Sequence, residues 1–502
     1  MTIYLTLSRG AWLGLLGGIA VCFGLIYFMR LWRKKTVKII LTLILFLAVI
    51  ACLINYYQPN SILKERLLSF FQSNNSGIII RLKLWTSASK IIAQRPYLGY
   101  GLETEQFLFI KYYQPDWAIY ESINLLPDRA HNRILDLLIV GGLFSLFAWL
   151  LFWGGTILAG IRYLFRQNKQ TTGYWHWRSI LVFALIIGLI SIFISHCFSF
   201  SVLTTELYIY LFLALILVLI YPHYQRNISF NFSRPFVICL IVSGLLLTCF
   251  TVYFFSWRWF LADVYYYQAR LSARKNNWTR MVDKYQQTLK LVSEEPYYHQ
   301  HLAADLINRF QSIAHLPEAK EFFALAEDNL QKLPVSAQNI SALVQQMKLY
   351  SLSNTYLKTT DFSLAEQFYH QLLTLSPLRS RSYLEGGQLY LSANDCQQAI
   401  NCFYQALTIA PPLNHPQTNL QHETLIRQER GEIYQGLARA YTQCHRFDDA
   451  LLVWQQVVRY QPKNILVHKE IANLYLQKGE IAEALKENLR GLYLNPTDSV
   501  WW

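Results

Sequence analysis

The sequence predicts an all-α protein, a polytopic transmembrane helical domain followed by an extracytoplasmic α-solenoid, and three observations predict it. Long apolar runs recur up to about residue 256, basic clusters flank those runs, and beyond them small and aromatic residues recur at a fixed period. A mean hydropathy of +0.19 and 53% hydrophobic residues are high for a 502-residue chain that lives wholly in water. Up to Ser256 there are 21 Lys/Arg against 8 Asp/Glu, and after it 24 against 23, so the net charge of +14 belongs almost entirely to the first half. Basic residues beside apolar runs are what membrane insertion produces. No basic stripe with interleaved aromatics appears in a soluble region, so no nucleic-acid partner is expected.

Six segments are long and apolar enough to cross roughly 30 Å of hydrocarbon at about 1.5 Å per residue: 11–29, 38–57, 134–159, 180–197, 206–221 and 236–256. The first has a polar Ser8–Arg9 start, a basic far flank and no small-residue cleavage site after it, so it reads as a span and not as a signal peptide. The chain opens almost directly on this span, whose start lies outside, and further helices are expected ahead of it. Orientation follows from charge. Arg30, Arg33, Lys34, Lys35 and Lys38 follow the first span, Arg162, Arg166, Lys169 and Arg178 lie between the third and fourth, and Arg226 and Arg234 between the fifth and sixth. These three connections are placed in the cytoplasm, which puts the 58–133 loop and everything after 256 on the outer side. The spans hold almost no ionisable residues, which argues against a transporter with an ion site at the midplane.

Within the outer loop, Ile78–Gln94 reads as an amphipathic helix with Leu84, Trp85, Ala88, Ile91 and Ile92 on one side and Arg81, Lys83 and Lys90 toward the other. Pro96 and the Gly99–Tyr100–Gly101 turn end it. A basic helix with such contacts suits a surface of membrane lipids. An aromatic stretch, Phe107 to Trp117, leads to Pro127–Asp128–Arg129–Ala130–His131–Asn132–Arg133 at the mouth of the third span. Interfacial anchoring is one reading of Arg129, His131 and Arg133. In the sharper one, arginines grip a diphosphate through forked hydrogen bonds and His131 accepts a proton from an attacking hydroxyl. The loop acids Glu103, Glu105, Asp116, Glu121 and Asp128 have no ligand-like spacing, and neither metal nor cofactor is expected. The cysteines show no metal-like pairing either; a Cys402–Cys444 bridge is conceivable.

Beyond 256 the period is 34: Pro411 follows Pro377 by that number, and Pro496 follows Pro462. Counting from them aligns Gly387, Ala438 and Ala472 at one small position, Tyr356, Tyr390, Tyr441 and Tyr475 at an aromatic one, and Ala365, Ala399, Ala450 and Ala484 at a second small one. Phe403 and Trp454 follow the second small position by four. The pattern resembles the tetratricopeptide repeat (TPR). Four units are expected at 346–379, 380–413, 431–464 and 465–498, with an insertion near 414–430 and a degenerate pair within 263–340. The domains expected are thus a membrane part at 1–256, a linker with degenerate repeats at 257–345, and repeats at 346–502. Such a solenoid binds a protein partner or serves as a spacer.

In its first 160 residues the chain resembles the O-antigen ligase/polymerase superfamily, bacterial membrane proteins that include the lipopolysaccharide O-antigen ligase, Wzy-type polymerases and protein O-oligosaccharyltransferases. The residues that carry the resemblance are Leu7-Ser8-Arg9-Gly10-Ala11, Arg81-x-x-Leu84-Trp85 with Arg95-Pro96-Tyr97-Leu98-Gly99-Tyr100-Gly101, and Ala130-His131-Asn132-x-x-Leu135 with Gly141-Gly142-Leu143. Ile139–Val140 stands where an acidic residue often precedes the glycine pair. The resemblance implies a metal-independent membrane glycosyltransferase in the bacterial cytoplasmic (inner) membrane. It would move a glycan from an undecaprenyl-diphosphate-linked donor to a lipid, glycan or protein acceptor on the outer face. Arg81 would contact the diphosphate and His131 would activate or position the acceptor, with Arg9, Arg95, Arg129, Arg133 and Asn132 as substrate-binding candidates. The alternative is a non-catalytic, membrane-anchored TPR scaffold for envelope glycan assembly.

Overall fold

The computed structural model describes residues 8–29, 42, 76–124, 126–170, 176–221, 233–333, 340–357, 362–416, 418 and 420–494, and every regular element among them is helical. The chain divides into two units, Met1–Tyr112 with Leu126–Ser229, and Tyr113–Leu125 with Phe230–Trp502. In chain order the first helices are α1 (Arg9–Phe28), α2 (Ser76–Gln94), α3 (Glu105–Lys111), α4 (Trp117–Tyr120), α5 (Arg133–Gln170), α6 (Trp177–His196) and α7 (Leu203–Ile220), of which α4 belongs to the second unit. Five described helices are long and apolar enough to cross a membrane: four are α1, α5, α6 and α7, and the fifth runs over Arg234–Arg274. The span expected at 38–57 and the terminal Trp501–Trp502 lie outside the described residues.

Residue size sets the packing of the first unit. Gly10, Gly14 and Gly18 recur every fourth position on α1, and a Cβ on Gly14 would stand 2.4 Å from the Ser191 carbonyl oxygen of α6. Only glycine lets the two backbones approach that closely. The helices are antiparallel: Gly10 meets Ser195 and Phe198 at one end. At the other end Asn168, late in α5, donates Nδ2–H to the Met29 carbonyl at 2.6 Å. Trp153, Leu164, Val182, Ile186, Leu189, Ile209 and Leu213 form the core between α5, α6 and α7.

Helix α5 is broken. Gly142 has φ 63° and ψ −163°, so the ladder of intrahelical bonds is interrupted there. The turn after α2 takes over the freed groups: Tyr100 and Gly101 donate N–H to the carbonyls of Ile139 (2.9 Å) and Val140 (2.8 Å). Leu143 and Phe144 donate to Pro96 (2.8 Å) and Tyr97 (3.4 Å). The two glycine motifs of the sequence are therefore two halves of one joint.

After α4, the second unit continues with α8 (Arg234–Val252), which runs through a wider π-helical turn at Tyr253–Trp257 directly into α9 (Arg258–Arg274). Helical hairpins follow: α9 with α10 (Trp278–Leu291), α11 (Pro296–Ser312) with α12 (Ala319–Gln331), α13 (Ile340–Tyr356) with α14 (Phe362–Leu375), α15 (Ser380–Ser392) with α16 (Cys396–Ile409), α17 (Leu420–Gln443) with α18 (Phe447–Tyr460), and α19 (Ile465–Gln477) with α20 (Ile481–Leu494). These are TPR-like repeats. Phe403 shows how they stack: fully buried, it fills the spaces left by Gly387 of its own hairpin and Gly436 of the next, where a Cβ would approach its ring to 2.5 and 2.4 Å. Two hairpins precede α13, the first of them continuous with the apolar helix before it. Residues 420–430, read from the sequence as insertion, extend the front of α17.

Cys444 pairs with Cys396, Cα–Cα 5.7 Å, not with Cys402, whose buried thiol lies 3.4 Å from the Tyr369 hydroxyl. The bond closes a loop with a sequence separation of 48. Cross-linking a loop of that size stabilises by about 4 kcal/mol on loop-closure entropy. Reduction, or Cys396→Ser, is expected to lower the thermal unfolding midpoint of the repeat helices, followed by circular dichroism of the detergent-solubilised chain. An unchanged midpoint would show that the bridge adds nothing.

Candidate functional site

At one end of the first unit, α1, α5 and α7 begin and α6 ends. The backbone N–H groups at three helix starts make that end favourable for an anion. Ser8 caps α1, its Oγ accepting from the Ala11 N–H at 3.4 Å. Arg9 is the first residue of this helix.

The turn Arg129–Arg133 is held from three sides. Trp85 of α2 donates Nε1–H to the Ala130 carbonyl at 3.0 Å, and the Ala130 N–H donates to the Asp136 carboxylate at 2.8 Å. Asn132 caps α5, its Oδ1 accepting from the N–H groups of Ile134 (3.0 Å) and Leu135 (3.3 Å). Between these pinned neighbours, His131 sits at φ 55°, left-handed backbone that costs a non-glycine residue about 1–3 kcal/mol. Its ring packs edge-on against Phe200, centroids 5.3 Å apart. The guanidinium of Arg129 stands 5.8 Å from the same Phe200 ring, donates to the Ser201 carbonyl at 3.3 Å and lies 3.6 Å from Glu103. Arg129 and His131 thus share one aromatic wall. Beneath them, burial raises the Glu105 carboxyl above its ordinary range, and the charge of Arg129 acts against that rise.

The other candidates divide. Arg81, read from the sequence as lying away from Trp85, instead stands one turn before it on the same face of α2, about 6 Å along the axis, half-buried. Arg133 is taken up in an ion pair with Glu206 of α7 at 2.9 Å, both side chains largely buried. Arg95 is not brought into the cluster: it is exposed at the far end of α2, about 21 Å along the axis from Arg81, and stacks 5.1 Å from the Tyr100 ring. Sequence reading missed Asp136, Glu206, Phe200 and Ser201. The first two carried a signal, being carboxylates at the starts of otherwise apolar spans, where an ionisable residue marks a site by default. Among the described residues, no three His, Cys, Asp or Glu side chains stand together so as to hold a metal ion.

Comparison with known proteins adds the following. Residues 1–150 match the family model described as O-antigen ligase. No curated protein matches the chain. Among solved structures, the Cut9–Hcn1 hetero-tetramer of APC/C is 14% identical and covers 73% of this chain and 70% of that one, with a TM-score of 0.34. Yeast Tom70 is 13% identical and covers 82% and 69%, with a TM-score of 0.32. The first 150 residues, which bring Trp85 and the Arg129–Arg133 turn together, are thus the part of this membrane protein that is similar to the O-antigen ligase family, and TPR-like repeats follow it.

Proposed function

We propose that the first unit transfers a glycan from a polyprenyl-diphosphate-linked donor to an acceptor hydroxyl at the outer face of a bacterial cytoplasmic membrane, as a multi-pass glycosyltransferase of the ligase or polymerase kind. The observation that carries the reading is the convergence of Arg129, His131 and the Arg81 face of α2 at one end of the apolar helices. A donor there keeps its lipid tail in hydrocarbon while its headgroup meets cations. The acceptor oxygen attacks the anomeric carbon and the bond from that carbon to the diphosphate oxygen breaks. The hydroxyl proton passes to the His131 imidazole. Negative charge grows on the leaving diphosphate, so guanidinium groups fixed in advance favour the transition state over the ground state. Arg81 and Arg129 take this role. Arg133, through Glu206, and Asn132, through its cap, hold the turn, and Arg9, the first residue of α1, stays a candidate for binding the substrate.

Three features support the outward placement. The Asn168–Met29 bond marks the opposite end of the bundle. There the chain leaves α1 for the Arg30–Lys38 cluster, and Arg162 and Arg166 lie near that end of α5. The Cys396–Cys444 bridge suits an oxidising compartment. The loop segment Tyr113–Leu125 belongs to one compact unit with the repeats, as expected when loop and repeats share a side.

Deletion of the gene tests the reading. Lipid-linked glycan is expected to accumulate in extracted membranes, and the corresponding surface polymer or conjugate to disappear, both restored by the wild-type chain. Unchanged lipid-linked and surface glycans would remove it.

A further inference from the structure

The aromatic stretch of the loop and the lengthened α17 found no role above, and the structure puts them together. Tyr113, Trp117, Ala118 and Ile119 are buried in the second unit, Trp117 completely, and α4 packs on α17. The ring of Tyr113 meets that of Trp117 at 5.5 Å, and Tyr120 faces His415, in the connection before α17, at 6.4 Å. The end of the segment is tied by polar contacts. Asn124, in left-handed backbone at φ 58°, donates Nδ2–H to the Glu429 carboxylate, and its carbonyl accepts from the Arg379 guanidinium at 3.5 Å. Glu429 also accepts from the Ser380 hydroxyl, and both Glu429 and Arg379 are buried. Burial, ahead of every other cause, pushes the Tyr113 hydroxyl up to about 12, so the ring is held uncharged.

The features are those of a recognition site: aromatic anchors sunk in a seat and a buried polar clamp at one end. The seat joins what departs from the repeat, His415 in the connection before α17 and the front of α17, to Arg379 and Ser380 at the start of α15. We propose that this seat in the repeat array is a receptor for the chain's own outer loop, the segment Tyr113–Asn124, and that the docking positions the Arg129–Arg133 turn for glycan transfer. Asn124 is five residues from Arg129, so a segment anchored by Trp117 and Asn124 limits where that turn can go. The inference rests on the transfer reading for its second half only. Trp117 is a positioning residue and touches no reacting atom.

The experiment uses the full chain in native membranes, with Tyr120→Cys and His415→Cys, the Cys396–Cys444 pair kept and the remaining cysteines replaced by Ser. A thiol-specific bifunctional cross-linker with a short spacer is expected to join residues 120 and 415 in a linked peptide, read by mass spectrometry, in most chains. Trp117→Ala is expected to lower that yield at least fivefold and Trp117→Phe to restore it. In the chain with native Tyr120 and His415, Trp117→Ala is expected to slow glycan transfer tenfold or more at unchanged membrane abundance, again with rescue by Phe. Absence of the 120–415 link in abundant protein overturns the receptor. Undiminished transfer in the Trp117→Ala chain, where the link is lost, overturns the positioning. The link is expected to persist in an Arg81→Ala chain, so a failure of the transfer reading leaves the receptor to be judged by cross-linking alone.

Discussion

Replacing His131 by Ala or Asn, or Arg81 by Ala, is expected to slow glycan attachment by about 10²-fold or more, the range for losing a general base or a transition-state donor. The measurement is the rate of appearance of surface glycan in cells, normalised to chain abundance in membranes. Asn is the informative exchange at 131. Among residues other than glycine it is one of those that most readily accept the left-handed backbone the turn imposes, so it keeps the fold of the turn and removes only the proton acceptor. A His131→Asn chain with normal attachment would show that the imidazole carries no proton. Normal attachment by both the Arg81 and His131 variants would leave the scaffold reading standing.

The second large effect is structural. Gly99→Val or Gly142→Val is expected to destabilise the first unit by about 3 kcal/mol or more, because each forces a β-branched residue into positive φ and into backbone atoms. The Cβ of residue 99 would fall 2.5 Å from the Ile139 carbonyl oxygen, and that of residue 142 would fall 2.3 Å from the Tyr97 carbonyl. Neither backbone can yield, since four hydrogen bonds join them. Gly101 is the control. Its φ is 104°, but the nearest atom to a Cβ at that position is 3.9 Å away, so Gly101→Ala carries conformational strain without collision and is expected to cost less. Membrane abundance after a block of synthesis, together with the detergent-solubilised melting midpoint, ranks the three. Equal stability of Gly142→Val and wild type would mean that the break in α5 is not needed.

Much of the architecture was legible because it is periodic. The 3.6-residue pattern located α2, and the 34-residue spacing of prolines and alanines located the hairpins from α13 onward. The place of His131 two residues ahead of α5 followed from its position just before an apolar run. What was not legible depends on pairs far apart in sequence. Hydropathy cannot tell an unbroken helix from one whose freed carbonyls are taken by a turn forty residues earlier, so Gly141–Gly142 read as interior. Glu206 gains meaning only when Arg133 faces it, and Cys444 found its partner at the start of α16 instead of within it. The front edge of the first hairpin was not legible because its first helix, Arg258–Arg274, carries on from apolar sequence without a breaker.

That continuity has a mechanical consequence. The helical run Arg234–Arg274 spans 41 residues, about 60 Å at 1.5 Å per residue and twice the hydrocarbon thickness. A continuous helix of that length couples the apolar stretch to the first hairpin without an intervening loop, and the five residues Tyr253–Trp257, wound one step wider, are the place along it where a bend costs least.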